Sequence, residues 1–118
     1  ASFSAAIAVL VLQELPDDGS KLAFLSALAR LLQPGAPLVL VDVLAGSGGL
    51  ASGTSQQFQA ALKQFQGDPG AQALASPTPL HLIGKARRSA LLAAAGFTDP
   101  LRFYQALQVE GVVVQKRP

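Results

Sequence analysis

Apolar positions along the chain fall into two kinds of run. Residues 3–11 are almost continuously apolar, with Ile7, Val9, Leu10 and Val11 close together. A short run of this kind predicts a strand buried on both faces. Leu15-Pro16-Asp17-Asp18-Gly19-Ser20 then reads as a turn into a helix, with Asp17, Asp18 or Ser20 able to cap it. From about residue 18 to residue 33, Phe24, Leu25, Leu28, Leu31 and Leu32 recur at three- and four-residue steps and make one apolar face. Pro34-Gly35 ends that helix, because proline cannot continue it and glycine tolerates a left-handed end. Residues 38–44 (LVLVDVL) predict a second buried strand, interrupted near its C-terminal end by Asp42. A Gly/Ser loop (46–55), a helix (56–66) with Phe58, Ala61, Leu62 and Phe65 on one stripe, and a Pro/Gly loop (67–79) follow. A further helix at 85–95 stops at Gly96-Phe97, a glycine cap with an apolar residue behind it. Residues 101–107 and 112–115 predict two strands. Glu110-Gly111 is read as their close hairpin connection, which makes the pair antiparallel. Strands alternating with helices predict an α/β protein. No repeat or linker divides residues 1–118.

Composition narrows the chemistry. With 50% apolar and 14% charged residues in 118, intrinsic disorder is excluded, and so is a coiled coil. No apolar run reaches the roughly 18 residues of a membrane span. The longest, residues 5–12, lacks the basic flank of a secretory signal, so a cytoplasmic location is expected. The absence of cysteine removes disulfides, thiolate metal sites and thiol catalysis. A single histidine, His81, removes any multi-histidine metal site, and no metal is expected. The net charge is +2, and apart from Arg87-Arg88 and Lys116-Arg117 the bases are scattered, which gives no strong nucleic-acid footprint. The chain also has no methionine and starts on an apolar run. Either processing removed the initiator, or this is the interior of a longer product.

One motif tests poorly in context. Gly46-x-Gly48-x-x-Ala51 follows a strand and formally satisfies a dinucleotide fingerprint. The second strand ending in an acidic residue, which should follow about 20 residues on, is absent. A flexible loop is therefore the expectation.

Four blocks, in order, resemble the C-terminal half of a class I S-adenosylmethionine (SAM)-dependent methyltransferase. Residues 6–16 (AIAVLVLQELP) are similar to the family's fourth strand and its ending. Residues 28–42 (LARLLQPGAPLVLVD) resemble its fourth helix and fifth strand, and residues 89–97 (SALLAAAGF) its last helix. RFYQAL at 102–107 and GVVV at 111–114 resemble its terminal hairpin. Together they cover nearly the whole chain, with residues 46–84 the weak part. The resemblance implies a partial Rossmann-like three-layer sandwich. Of the family's sheet order 3-2-1-4-5-7-6, this chain would supply 4-5-7-6, with the last-numbered strand antiparallel between its neighbours. Strands one to three, the glycine motif and the ribose-binding acidic residue do not occur. Within the family the wording is nearest the branch containing carboxy-SAM synthase, through Leu12-Gln13 and Phe103-Tyr104-Gln105-Ala106. The chain departs at Val9, where that branch has a polar cofactor contact, and lacks its carboxylate-binding basic and tyrosine pair. Ordinary methyl transfer is the reading that remains.

In such sheets the ligand sits at the C-terminal ends of the strands. By resemblance, Ala8, Val9 and Leu10 offer backbone contacts to the methionine end of SAM, with Gln13 beside them. Glu14 and Asp42 are the carboxylates placed to meet an acceptor, either a small molecule or a tRNA; no catalytic residue is assigned. Each has a plainer role open to it. Glu14 could be a solvated anion at a helix start, Asp42 could satisfy loop amides, and Gln13 could tie its loop down. His81 reads as a surface or interface residue, Phe103 and Tyr104 as core and sheet packing, and Arg87-Arg88 as a solvated helix face. A chain starting at strand four leaves residues 3–11 as an exposed edge, open to a missing N-terminal half or to a second copy.

Overall fold

The computed structural model describes residues 2–45 and 80–118. The glycine fingerprint at 46–51, the helix at 56–66 and the loops around it lie outside the described residues. Four strands and two helices appear within them: β1 (Ala6–Val9), α1 (Ser20–Leu31), β2 (Pro37–Val43), α2 (Lys85–Ala95), β3 (Leu101–Ala106) and β4 (Val109–Gln115). A single 3-10 turn, Leu12–Glu14, follows β1.

The strands form one sheet in the order β1-β2-β4-β3. β1 runs parallel to β2, from Ala6 opposite Leu38 to Val9 opposite Val41. β4 is antiparallel to both its neighbours. This is the partial α/β order that the resemblance implies, with the antiparallel strand inside the sheet. Alternation along β2 puts Leu38, Leu40 and Asp42 on one face, level with Val114, Val112 and Glu110 of β4. Against that face pack Leu25 and Ala29 of α1 and Leu91 and Leu92 of α2, with Ala8, Leu12 and Phe97 completing the core. The described residues thus supply the sheet and one helical layer.

The helix ends follow local chemistry. At the start of α1 the N-cap is Gly19, at φ +104°, and no side chain caps the helix as expected of Asp17, Asp18 or Ser20. Asp18 Oδ1 instead accepts from the N–H, at 3.2 Å, and the hydroxyl, at 2.7 Å, of Ser20, the first residue of α1. After α2, Gly96 takes φ +100°, its N–H reaches Ala93 O, and the Phe97 N–H reaches Leu92 O. That pair of bonds is a Schellman end, and the fully buried Phe97 is its apolar contact.

Four expectations need correction. Residues 3–11 do not form one doubly buried strand: β1 has four residues, and Ile7 and Val9 are 72% and 52% exposed. The side chains of β1 that face away from the helices have no cover among the described residues. The hairpin turns at Leu107-Gln108, not at Glu110-Gly111, which belong to β4. Gly111 serves another purpose there: a Cβ would come within 2.7 Å of the Phe103 ring, which lies over the glycine at a bulge in β3. Phe103 and Tyr104 are accordingly on the sheet but half exposed, not core. Finally, Arg87 and Arg88 do not share a solvated face: Arg87 is exposed, whereas Arg88 is buried between α2 and the sheet.

Candidate functional site

Parallel pairing brings the C-terminal ends of β1 and β2 to the same edge of the sheet. Here the turn after β1 meets the residues after β2 and the approach to α2. Leu10 leaves the strand with φ +57°, a region bulky side chains avoid, while its N–H still reaches Val41 O at 2.7 Å. Successive N–H groups of a strand alternate between its two edges, so the Val9 N–H faces the opposite side of β1, which has no partner strand among the described residues. The His81 N–H donates to Gln13 O at 2.7 Å and the Ala45 N–H to Ile83 O at 2.9 Å. Both bonds lace residues 81–83 across the ends of the two strands.

The expected site residues divide into two groups. Ala8 is buried in the core, and Val9 and Leu10 are exposed at the strand end. Glu14 is exposed on the 3-10 turn. Gln13, by contrast, is buried, and its carboxamide oxygen accepts from the Val43 N–H at 2.8 Å. Its carboxamide nitrogen remains as a donor towards a ligand. Asp42 stands neither at a mouth nor at a solvated rim. It is 2% exposed on the helix-covered face, and its Oδ1 accepts from the Leu12 N–H at 3.2 Å. The amide it serves lies in the turn after β1, thirty residues away, rather than in its own loop.

Two groups that carried no weight in the sequence join Asp42 under the sheet. Lys21 of α1 is 1% exposed, and its Nζ donates to Leu12 O at 2.5 Å. Burial pushes its ammonium below the usual range, against the pull of Asp17 and Asp42. Glu110 of β4 stands directly opposite Asp42. Its Oε1 accepts from Arg88 Nη2 at 2.5 Å, and its Oε2 lies 3.2 Å from Lys85 Nζ and 3.8 Å from Arg102 Nη1. Burial raises the Glu110 carboxyl, but the bonds and charges of Arg88 and Lys85 outweigh that and hold it below its ordinary value. Burial likewise raises Asp42, from 3.8 to about 6, and the Leu12 N–H, Arg88, the Gln13 N–H and Lys21 offset this only in part. Among the described residues, Asp42 Oδ2 and Arg88 Nε and Nη1 have no hydrogen-bond partner. A lysine at the start of a helix and a Glu-Gly dipeptide both read as solvated positions, so neither signals this cluster. Among the described residues no group of three His, Cys, Asp or Glu could hold a metal ion. Nor is any helix there long and apolar enough to cross a membrane.

No protein-family model and no curated protein matches the sequence. Solved structures do match the fold. Human N-acetylserotonin methyltransferase in complex with SAM superposes with a TM-score of 0.65 over 98% of this chain, at 17% identity. The chain has the fold of the C-terminal part of SAM-dependent methyltransferases. Mitomycin 7-O-methyltransferase MmcR gives a TM-score of 0.67 over 96% of the chain at 18% identity. A possible exported protein from Bordetella parapertussis gives 0.65 over 99% at 18% identity. The chain spans 30%, 29% and 40% of these three structures, respectively.

Proposed function

We propose that this chain is the C-terminal part of a SAM-dependent methyltransferase, a single partial domain of a longer cytoplasmic enzyme acting on a small-molecule or tRNA acceptor. The carrying observation is the sheet: an antiparallel β4 between β2 and β3, superposing over 98% of the chain on an enzyme of that class. The ligand edge fits the cofactor in one respect. It offers backbone at Val9 and Leu10, with the Val9 N–H on an edge that has no partner strand among the described residues, beside the donor capacity of Gln13. Bound there, SAM would supply an already activated methyl group. The chain's own task is then to orient and to exclude water, which needs few charged side chains. Glu14 is the exposed carboxylate at this edge, and it would take a proton where the acceptor must lose one. Asp42 is too deeply buried to meet an acceptor.

Calorimetric titration of SAM tests this reading. The 118-residue chain alone should bind weakly, because the glycine loop and ribose contact are missing, whereas the longer gene product should bind. Micromolar binding by the short chain would refute it.

A second reading rests on the β1 edge, where Ile7 is 72% exposed. A half-fold could act without catalysis, pairing this edge with a second copy. Sedimentation separates the two. A stable monomer at high concentration counts against self-pairing and leaves the missing N-terminal half as the edge's partner.

A further inference from the structure

We infer that Asp42 is a positioning residue, forming with Gln13 a reciprocal clamp that sets the turn after β1 and with it the backbone at the ligand edge. The side chain of Asp42 on β2 takes the Leu12 N–H of the turn, at 3.2 Å. The side chain of Gln13 in the turn takes the Val43 N–H of β2, at 2.8 Å. Each element thus bonds the other's main chain. Lys21 holds the remaining polar group of the same peptide region, Leu12 O, at 2.5 Å. Between the clamp and the end of β1 sits Leu10 at φ +57°. A leucine persists there only when its surroundings over-determine it. The fixed points on either side of it are the Leu10 N–H on Val41 O and the Leu12 N–H on Asp42.

The clamp carries a sensitivity to pH. Asp42 faces Lys21 from α1, Arg88 from α2 and Glu110 from β4. Glu110 is held ionised by Arg88 and Lys85, so it does not change state where Asp42 does. With its carboxyl pushed up to about 6, Asp42 is a charged, strong acceptor for the Leu12 N–H above that pH and a neutral, weaker one below it. Falling pH therefore weakens this one bond, even as protonation relieves the cost of burying the charge, while the central β2·β4 ladder stays intact.

The clamp itself stands apart from the methyltransferase reading; only its effect on SAM rests on that reading. In the intact protein, with leucine and valine amides isotopically labelled, the Leu12 N–H resonance should titrate with a midpoint near the Asp42 value of about 6, and Val113 should not move. Asp42→Asn should abolish the titration. A flat Leu12 profile, or the same profile in the variant, overturns the inference. If Asp42→Asn fails to fold, Gln13→Ala decides. It should raise amide exchange about tenfold at Val43 and also at Leu12, the size of one hydrogen bond's net contribution. An effect confined to Val43 would show two independent bonds and no clamp. In the same protein SAM affinity should fall several-fold as pH drops through the midpoint, and this fall should be lost in Asp42→Asn. Unchanged affinity across the midpoint, with SAM bound, overturns the coupling to the ligand edge. If SAM does not bind at any pH, the methyltransferase reading fails and the amide profile alone decides the clamp.

Discussion

Asp42 and Glu110 stand opposite one another on β2 and β4, on the same face, 2% and 3% exposed. Yet burial wins at one and loses at the other. Asp42 is pushed up to about 6, whereas Glu110 is held below its ordinary value. The difference lies in the partners within reach. Glu110 has the Arg88 guanidinium at 2.5 Å and Lys85 at 3.2 Å. Asp42 has backbone N–H groups, and the charges of Arg88 and Lys21 without a direct bond to either. Two carboxylates at one depth of one sheet are thus set to different tasks. Glu110 is a brace between α2 and the sheet that stays ionised to lower pH than usual, and Asp42 is an acceptor whose state changes at about pH 6.

The harshest way to break this contrast is Arg88→Met. It leaves Glu110 buried with the half-exposed Lys85 and the more distant Arg102. Breaking a buried pair from one side typically costs about 3–5 kcal/mol. Lys85 remains, and Arg88 already has unpaired nitrogens, so the lower end is expected. The same change removes one of the charges that favour ionised Asp42, so Asp42 should rise further. Urea unfolding gives the first quantity and the Leu12 amide the second. A loss below about 1 kcal/mol would mean that the pair does not brace the fold. Replacing Glu110 by methionine as well should recover most of the loss.

The pH dependence of stability comes next in size, and the two carboxylates pull in opposite directions. The folded value of Asp42 lies above its unfolded one. Its contribution is fully present below 3.8 and lost as pH rises through about 6. At 1.36 kcal/mol per pH unit this amounts to about 3 kcal/mol. Glu110 is lowered, so its contribution is present above 4.5 and lost as pH falls through its folded value. Urea unfolding should therefore show stability falling between about pH 4 and pH 6 through Asp42, and Asp42→Asn should remove that decline. Glu110→Gln should instead remove the loss on the acid side. If Asp42→Asn leaves the pH curve unchanged, the two sites are not differently tuned.

How much of this could be read from residues follows the same division. Features set by neighbours in the chain were legible. Pro34-Gly35 after α1 and Gly96-Phe97 after α2 mark helix ends by local geometry, and the structure ends both helices beside them. Sheet order needed the wording of four blocks, because no local pattern says which strand lies beside which. The carboxylate contrast was not legible. Arg87 and Arg88 are neighbours in sequence, but one step of the helix turns Arg88 under the sheet and Arg87 out to Asp17. Glu110-Gly111 has the composition of a turn. It became part of β4 because two residues, Leu107 and Gln108, already close the hairpin, and because Gly111 makes room for Phe103. Asp42 was placed correctly along β2, but its depth depends on α1 and α2 covering that face.

The smallest expected effect concerns two leucines with nearly the same backbone. Leu10 at the clamp has φ +57° and Leu107 in the hairpin turn has φ +55°. Left-handed backbone costs a side-chain-bearing residue roughly 1–2 kcal/mol. At Leu107 the strain closes a two-residue hairpin, and glycine should relieve it. Glycine adds about 0.5–1 kcal/mol of unfolded-state freedom to be lost on folding, so Leu107→Gly should raise stability by about 0.5 kcal/mol. The same local gain is available at Leu10, but there the fixed backbone serves the ligand edge. Leu10→Gly should therefore raise or preserve thermal stability while increasing amide exchange at position 10 and at Leu12. Leu107→Gly should leave those amides unchanged. Equal effects of the two variants on the Leu12 amide would mean that the turn after β1 is no more restrained than an ordinary hairpin, and would remove the reason for Asp42 to be buried beneath it.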